Sequence, residues 1–351
     1  MRINEFRELL DAALPKRKKL LAVGPAGIGK TQIPTELAKL WGWDVKALCM
    51  PLLSPVFLMG YPFRDNGTAG HAPFGVLGDC LKAEKDTLLL LDELGGASGE
   101  TIKAGLRLLQ FGEVGDKRLP DCVRILALSN DVGHGADVMG IIEPMKDRFD
   151  SIVNVEPHVE DTTSYGLARD WPAWILAFLR NCPEALHDLK PLKSMQRSGA
   201  TPRGWEAVAQ LEKDGLLDGA FGVELVQGAV GKGRAVQALA FRKLAGELPD
   251  IDAVLMDPTG QPVPDNPSAR FLVASAISGR MTSGNFGACI KYLNRMDGMF
   301  MAYSVRDAFR AEVQRKREKN LPKDWKPLAS SRDYTAWAVS PQGKEVLSAA
   351  S

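Results

Sequence analysis

Gly24-Pro25-Ala26-Gly27-Ile28-Gly29-Lys30-Thr31 sets three glycines ahead of a lysine and a hydroxyl. Glycine frees the backbone to turn its N–H groups inward around a phosphate chain. A helix starting just after such a loop adds the partial positive charge of its N-terminus. Lys30 supplies a point charge for the outer phosphates, and Thr31 supplies a hydroxyl oxygen of the kind Mg²⁺ prefers. Further along, Leu88-Leu89-Leu90-Leu91-Asp92-Glu93 ends an apolar run in two acids. Asp92 suits the water shell of Mg²⁺, and Glu93 suits the orientation and polarisation of an attacking water. Ser129-Asn130 closes another apolar run. An amide there can hydrogen-bond a terminal phosphate or the attacking water, although an asparagine at a strand end is also an ordinary turn former.

Two arginines complete the set. Arg148 lies in Asp147-Arg148-Phe149-Asp150 and by itself reads as a surface ion pair. Thr201-Pro202-Arg203 reads as a helix start, with Thr201 as N-cap and Pro202 at the first helical position. An arginine one step later is held in place and suits a phosphate contact. Pro34 stands early in the helix after the glycine loop, near the first turn, where proline is tolerated.

These residues need elements to hold them. Apolar runs at 20–23, 87–91, 123–128 and 152–155 read as strands, 44–49 is compatible with a further strand, and helical spacing recurs at 3–14, 30–41, 76–84 and 99–111. Strands alternating with helices predict an α/β layer with a mainly parallel five-stranded sheet over residues 1–157. Residues 51–73 are rich in Gly, Pro and aromatics and show no period. Beyond Glu156-Pro157-His158 the segments 160–181, 202–214, 222–247, 268–279 and 284–318 read as helical. Residues 249–267 read as a long loop with a short hairpin, and about the last 20 residues as irregular. The expected division is 1–157 for the α/β domain, 158–250 for a helical lid and 251–351 for a helical extension. Trp171 and Trp174, beside Ile175, Phe178 and Leu179, read as lid core rather than a base-stacking platform. Arg310 to Lys326 is a charged stretch broken by Glu312, Glu318 and Asp324. With Phe309 and Val313 as its apolar stripe, it reads as a solvated helix face rather than a nucleic-acid site.

Composition excludes other classes. Lys plus Arg is 44 and Asp plus Glu 43, so a net charge of +1 supplies no global field for nucleic acid or anionic lipid. Cys49, Cys80, Cys122, Cys182 and Cys289 are widely spaced, which argues against a zinc ribbon or a disulfide framework and for buried reduced thiols. His71, His134, His158 and His187 are equally scattered. No apolar run approaches the roughly 18–20 residues of a membrane span, and the N-terminus lacks a signal-peptide core, so a cytoplasmic chain is expected.

In order, the phosphate loop, the acidic strand end, the Asn strand end, Asp147-Arg148-Phe149 and Thr201-Pro202-Arg203 resemble an AAA+ ATPase over roughly residues 1–215. The chain is more narrowly similar to the MoxR-type group, which carries an insertion in the second helix. Leu52 to Phe74, with Met59-Gly60-Tyr61-Pro62 and Gly75-Val76-Leu77, occupies the place of that insertion. Gly112 to Pro120 fits the hairpin before the Asn strand. The resemblance implies a P-loop NTPase fold binding ATP and Mg²⁺ through Gly24, Pro25, Ala26, Gly27, Ile28, Gly29, Lys30, Thr31 and Asp92, with Thr31 and Asp92 as metal contacts. It makes Glu93 catalytic, Asn130 sensor 1, Arg203 sensor 2, and Arg148 the arginine given to a neighbouring subunit. It further implies a homo-oligomeric ring, a hexamer, remodelling a protein client in a chaperone-like way, with a von Willebrand factor A-like partner as the expected client. The rival reading is a nucleic-acid motor of replication or phage defence on the same ATPase core. A slow nucleotide-gated scaffold is disfavoured by Glu93. The chain departs from the family at Pro34 and in lacking a Tyr/Phe-Val-Gly pore motif.

Overall fold

The computed structural model describes the chain apart from residues 66, 132–141, 190–198, 246–249, 318–320, 322 and 351. His134 and part of the charged stretch after Arg310 lie outside the described residues. The chain divides into two units, Met1–Pro157 and His158–Ser351.

The first unit runs α1 (Ile3–Ala13), β1 (Leu20–Gly24), α2 (Gln32–Leu40), β2 (Asp44–Cys49), α3 (Pro55–Met59), β3 (Tyr61–Asp65), β4 (Thr68–Ala72), α4 (Gly75–Cys80) and β5 (Thr87–Asp92). It continues through α5 (Gly99–Phe111), β6 (Glu113–Val114), β7 (Lys117–Arg118), β8 (Val123–Asn130), α6 (Glu143–Lys146) and β9 (Ser151–Asn154). Five strands form one sheet in the order β2-β5-β8-β1-β9, every neighbouring pair parallel. This is the expected α/β sheet. Its central strands β1, β5 and β8 were legible because a strand covered on both faces is apolar along nearly its whole length. Leu88, Leu90, Leu126 and Leu128 pack with Phe6 and Leu10 of α1 and Leu37 of α2. Leu89, Leu91, Ile125 and Ala127 pack on the other face with Ile102, Leu108 and Leu109 of α5. The period-two alternation thus serves two apolar layers rather than one core and one solvated face.

Two segments differ from expectation. Residues 61–72, without period in the sequence, form the antiparallel hairpin β3–β4, from Tyr61↔Ala72 to Asp65↔Thr68, with Gly67 at φ 83° in its turn. Tyr61 and Phe63 are exposed, so no burial imposed an alternation for the sequence to display. The helix expected over 76–84 spans only Gly75–Cys80. The expected hairpin within Gly112–Pro120 is present as β6–β7. Asp116 in its turn accepts the His71 backbone N–H of β4 at 3.1 Å, so the two hairpins are bonded to each other.

The second unit is helical: α7 (Val159–Ala168), α8 (Ala173–Asn181), α9 (Pro202–Lys213), α10 (Gly222–Val230), α11 (Lys232–Ala245), α12 (Ile251–Met256), α13 (Pro267–Arg280), α14 (Phe286–Leu293), α15 (Gly298–Arg317), α16 (Arg332–Ala338) and α17 (Pro341–Ala350). The loop expected over 249–267 holds the short helix α12, and its described residues form no hairpin. The irregular C-terminus expected is instead α16 and α17, whose Trp337 and Val346 are buried. The helix expected over 160–181 breaks where Asp170 takes a left-handed backbone, φ 56°. Trp171, Trp174, Phe178 and Trp205 fill one apolar cluster, as expected of core tryptophans. Phe286, Tyr292, Phe300 and Trp337 fill a second. On α15, Phe309 packs against the second cluster as expected, beside buried Val305 and Ala308, whereas Val313 is exposed. Arg315 is not simply solvated, because it donates to the carbonyls of Leu167 and Ala168 and pairs with Asp170.

Candidate active site

Parallel strands deliver their C-terminal ends to one edge of the sheet, and three adjacent strands end there in the residues singled out above. Strand β1 ends at Gly24, β5 at Asp92 and β8 at Asn130, with Gly24 in register with Asn130. The loop from Pro25 to Thr31 then connects β1 to α2. Its glycines are required for two different reasons. A Cβ at Gly24 would lie 2.2 Å from the Val155 carbonyl oxygen, so the strand end admits no side chain. Gly29 has open space around it but stands at φ 99°, which L side chains rarely adopt.

Lys30 is buried at 7% exposure and turns back into the loop. Its ammonium donates to the carbonyls of Gly24 at 2.7 Å and Pro25 at 2.6 Å and to Oδ1 of Asn130 at 3.1 Å. With Oδ1 engaged by a cation, the Asn130 amide nitrogen is the group left to act as donor. Thr31, the N-cap of α2, donates its hydroxyl to Asp92 Oδ2 at 2.9 Å. Asp92 Oδ1 accepts the backbone N–H of Glu93 at 2.9 Å. Hydroxyl and carboxylate oxygens at hydrogen-bonding distance are a hard-oxygen pair that fits Mg²⁺. Pro34 is the third residue of α2, where its missing N–H is one the helix cannot pair internally anyway.

Glu93 leaves the sheet abruptly. The β5–β8 ladder ends at Leu91↔Ala127, and Glu93 adopts φ 54° and ψ 40°, left-handed for a residue with a Cβ. The conformation costs on the order of 1 kcal/mol and leaves its side chain exposed beside Asp92. The turn is closed by the Gly96 N–H donating to the Glu93 carbonyl, 2.9 Å. It is pinned by Ser129, whose Oγ accepts the Gly95 N–H at 3.2 Å. The sequence marks Ser129 only as the neighbour of Asn130. Its link to a turn on another strand has no signal in spacing.

Arg148 lies at the other edge of the sheet. Asp150 makes two bonds to the residue before β1: its N–H donates to the Lys19 carbonyl and its side-chain carboxylate accepts the Lys19 N–H. Since Leu20 pairs with Ser151, Arg148 stands before the strands begin. Gly24 is four residues along from Leu20, about 13 Å at ~3.3 Å per residue. Arg148 therefore lies at the opposite end of the strands from the phosphate loop of its own chain. It is half-buried, and its Nε has no hydrogen-bond partner among the described residues.

Arg203 belongs to the second unit. Thr201 caps α9 as expected, its Oγ1 accepting the Gly204 N–H at 3.1 Å, with Pro202 at the first helical position. Trp205, fully buried, anchors the same turn by donating to the Ala185 carbonyl at 2.8 Å. Arg203 projects from this fixed turn, exposed, with no ion pair or hydrogen bond among the described residues. A cation at a helix N-terminus opposes the helix dipole, so this placement stabilises nothing within the unit.

The cysteines divide by burial. Cys80 and Cys289 are fully buried, which pushes their thiols up to about 11 and about 12. Cys49 is exposed, so reduced thiols are the rule but burial is not. Among the described residues, no helix is long and apolar enough to cross a membrane.

No family model matches the chain, and no curated protein matches it. Solved structures similar to it include RuvB of Thermotoga maritima, the Holliday junction branch migration motor, at 13% identity and a TM-score of 0.40 over 84% of this chain and 87% of that one. Two point mutants of the same protein are also similar. One has 13% identity and TM-score 0.41, covering 78% and 82%. The other has 12% and 0.42, covering 84% and 87%. At these overlaps the neighbours add nothing to what the residues above establish.

Proposed function

We propose that the chain is a Mg²⁺-dependent ATPase of the AAA+ type. One observation carries this reading: Lys30, Thr31, Asp92 and Asn130 meet at the C-terminal ends of three adjacent parallel strands, where open α/β sheets bind ligands. Lys30 exchanges neutral carbonyl acceptors for charged phosphate oxygens, and charge-assisted bonds are roughly twice as strong as neutral ones. Thr31 and Asp92 hold Mg²⁺, which supplies charge neutralisation on the phosphates when bound. Glu93 orients a water and draws off its proton. Asn130, oriented by Lys30, donates through its amide nitrogen to phosphate or water.

Arg148 and Arg203 complete the site in this reading. Arg148 is held at the sheet edge remote from its own phosphate loop, which supports its donation to the nucleotide of a neighbouring copy in a ring, a hexamer by the family resemblance. Arg203 stands unpaired at a helix start that its charge opposes, which supports a phosphate contact. The lid then comprises residues 158–250 and the extension 251–351, in a cytoplasmic protein. The finer reading is a MoxR-type ATPase. The bonded hairpins β3–β4 and β6–β7, with Leu52, Tyr61 and Phe63 exposed, act on a protein client, and a von Willebrand factor A-like partner is the candidate by resemblance. The net charge of +1 favours a protein client over nucleic acid.

The test is binding of a fluorescent ATP analogue together with Mg²⁺-dependent phosphate release. The intact chain binds and hydrolyses, and Lys30→Ala loses binding. Unchanged affinity in Lys30→Ala removes the phosphate loop from the account.

A further inference from the structure

Ser129 sits one residue before Asn130, at 2% exposure, and reaches two elements with one hydroxyl. Its Oγ accepts the N–H of Gly95, 3.2 Å, in the turn that follows Glu93. The same Oγ donates to the carbonyl of Asn130, 3.0 Å. Backbone pairing between β5 and β8 has stopped by then, at Leu91↔Ala127. From that point the Ser129 hydroxyl takes the place of a ladder hydrogen bond between the two strand exits. Gly95 is buried, so its N–H has no water to turn to. Glu93 is held in a left-handed conformation that a residue with a Cβ does not keep without support. Asn130, on the other side of the hydroxyl, accepts from Lys30.

We propose that Ser129 is a positioning residue for hydrolysis: through its bonds to Gly95 and Asn130 it fixes the Glu93 carboxylate relative to the Asn130 amide, without touching nucleotide. The inference rests on the reading of Glu93 as the group that activates water. Ser129→Ala leaves the Gly95 N–H unpaired and frees the turn to relax. A misplacement of about 1 Å at a reacting group can cost on the order of a hundredfold in rate. Nucleotide binding draws on Lys30 and the loop, which Ser129 does not bond.

The experiment compares Ser129→Ala, Ser129→Thr, Ser129→Cys and Glu93→Gln by analogue affinity and by kcat and KM for phosphate release. Ser129→Ala should lose about ten- to a hundredfold in kcat, with affinity within about twofold of wild type. Ser129→Cys keeps the volume but accepts hydrogen bonds poorly, and should behave like the alanine variant. Ser129→Thr, which keeps the hydroxyl, should recover most of the lost kcat. With Glu93→Gln inactive, a wild-type kcat in Ser129→Ala overturns the inference. So does an equal loss in alanine and threonine variants, which marks the site as one of packing alone. If Glu93→Gln hydrolyses at the wild-type rate, the reading beneath the inference fails instead.

Discussion

Lys30, Thr31, Asp92 and Asn130 span a hundred positions of sequence, yet two hydrogen bonds, Lys30 to Asn130 and Thr31 to Asp92, join them in pairs across the strand ends. Asp92 and Asn130 were legible because each ends an apolar run at a strand end, and Lys30 and Thr31 because they close the glycine-loop motif. How they touch was not legible, since contacts at one sheet edge depend on strand order and spacing does not encode it. The required glycine at position 24 illustrates the limit. The motif explains it by phosphate, whereas the structure explains it by the Val155 carbonyl. Gly24→Ala should therefore destabilise the first unit by about 1–3 kcal/mol even without nucleotide, read as a lowered urea midpoint. An unchanged midpoint would mean that β9 moves aside freely. The thiols permit a second residue-scale prediction. At pH 8, Cys80 and Cys289, with thiols at about 11 and about 12, should resist alkylation in the folded protein, while exposed Cys49 labels first. Mass spectrometry of labelled peptides reads the order.

Helix α9 shows how an element presents a residue. The Thr201 cap, Pro202 and the Trp205 anchor fix its first turn, and Arg203 is carried on it. Thr201→Ala should cost about 1 kcal/mol by denaturant titration, the usual loss for an N-cap. Deeper in the second unit, Arg180 of α8 pairs with Asp307 of α15 and donates to Ser275 of α13, tying three helices at one buried point. Asp307→Ala strands the guanidinium and should cost about 3–5 kcal/mol, whereas Arg180→Met with Asp307→Leu should recover most of that. Equal losses in both would assign the cost to packing. Burial was the signal that made elements readable. The central sheet strands β1, β5 and β8 showed themselves because both their faces are covered. The β3–β4 hairpin did not, because its aromatics face solvent. Helices α16 and α17 hid for a related reason: short elements of seven and ten residues bury too few side chains to display a period.

At the scale of the molecule, the account places one catalytic group outside the chain that binds the nucleotide. Arg148→Ala should keep ATP affinity and lose on the order of 10³-fold in turnover, the lower range for an arginine supplied in trans. Mixed with Lys30→Ala subunits it should regain activity, because an intact phosphate loop on one chain can then face an intact Arg148 on the next. Mixed assemblies without rescue would remove Arg148 from that role. Specific activity should also rise with protein concentration as sites between copies form. All of this depends on hydrolysis running through Glu93, and a single-turnover assay of Glu93→Gln with ATP and Mg²⁺ addresses that claim most directly. The account predicts ATP bound at wild-type affinity with no phosphate released over many wild-type turnover times. Phosphate release by Glu93→Gln at the wild-type rate would contradict it.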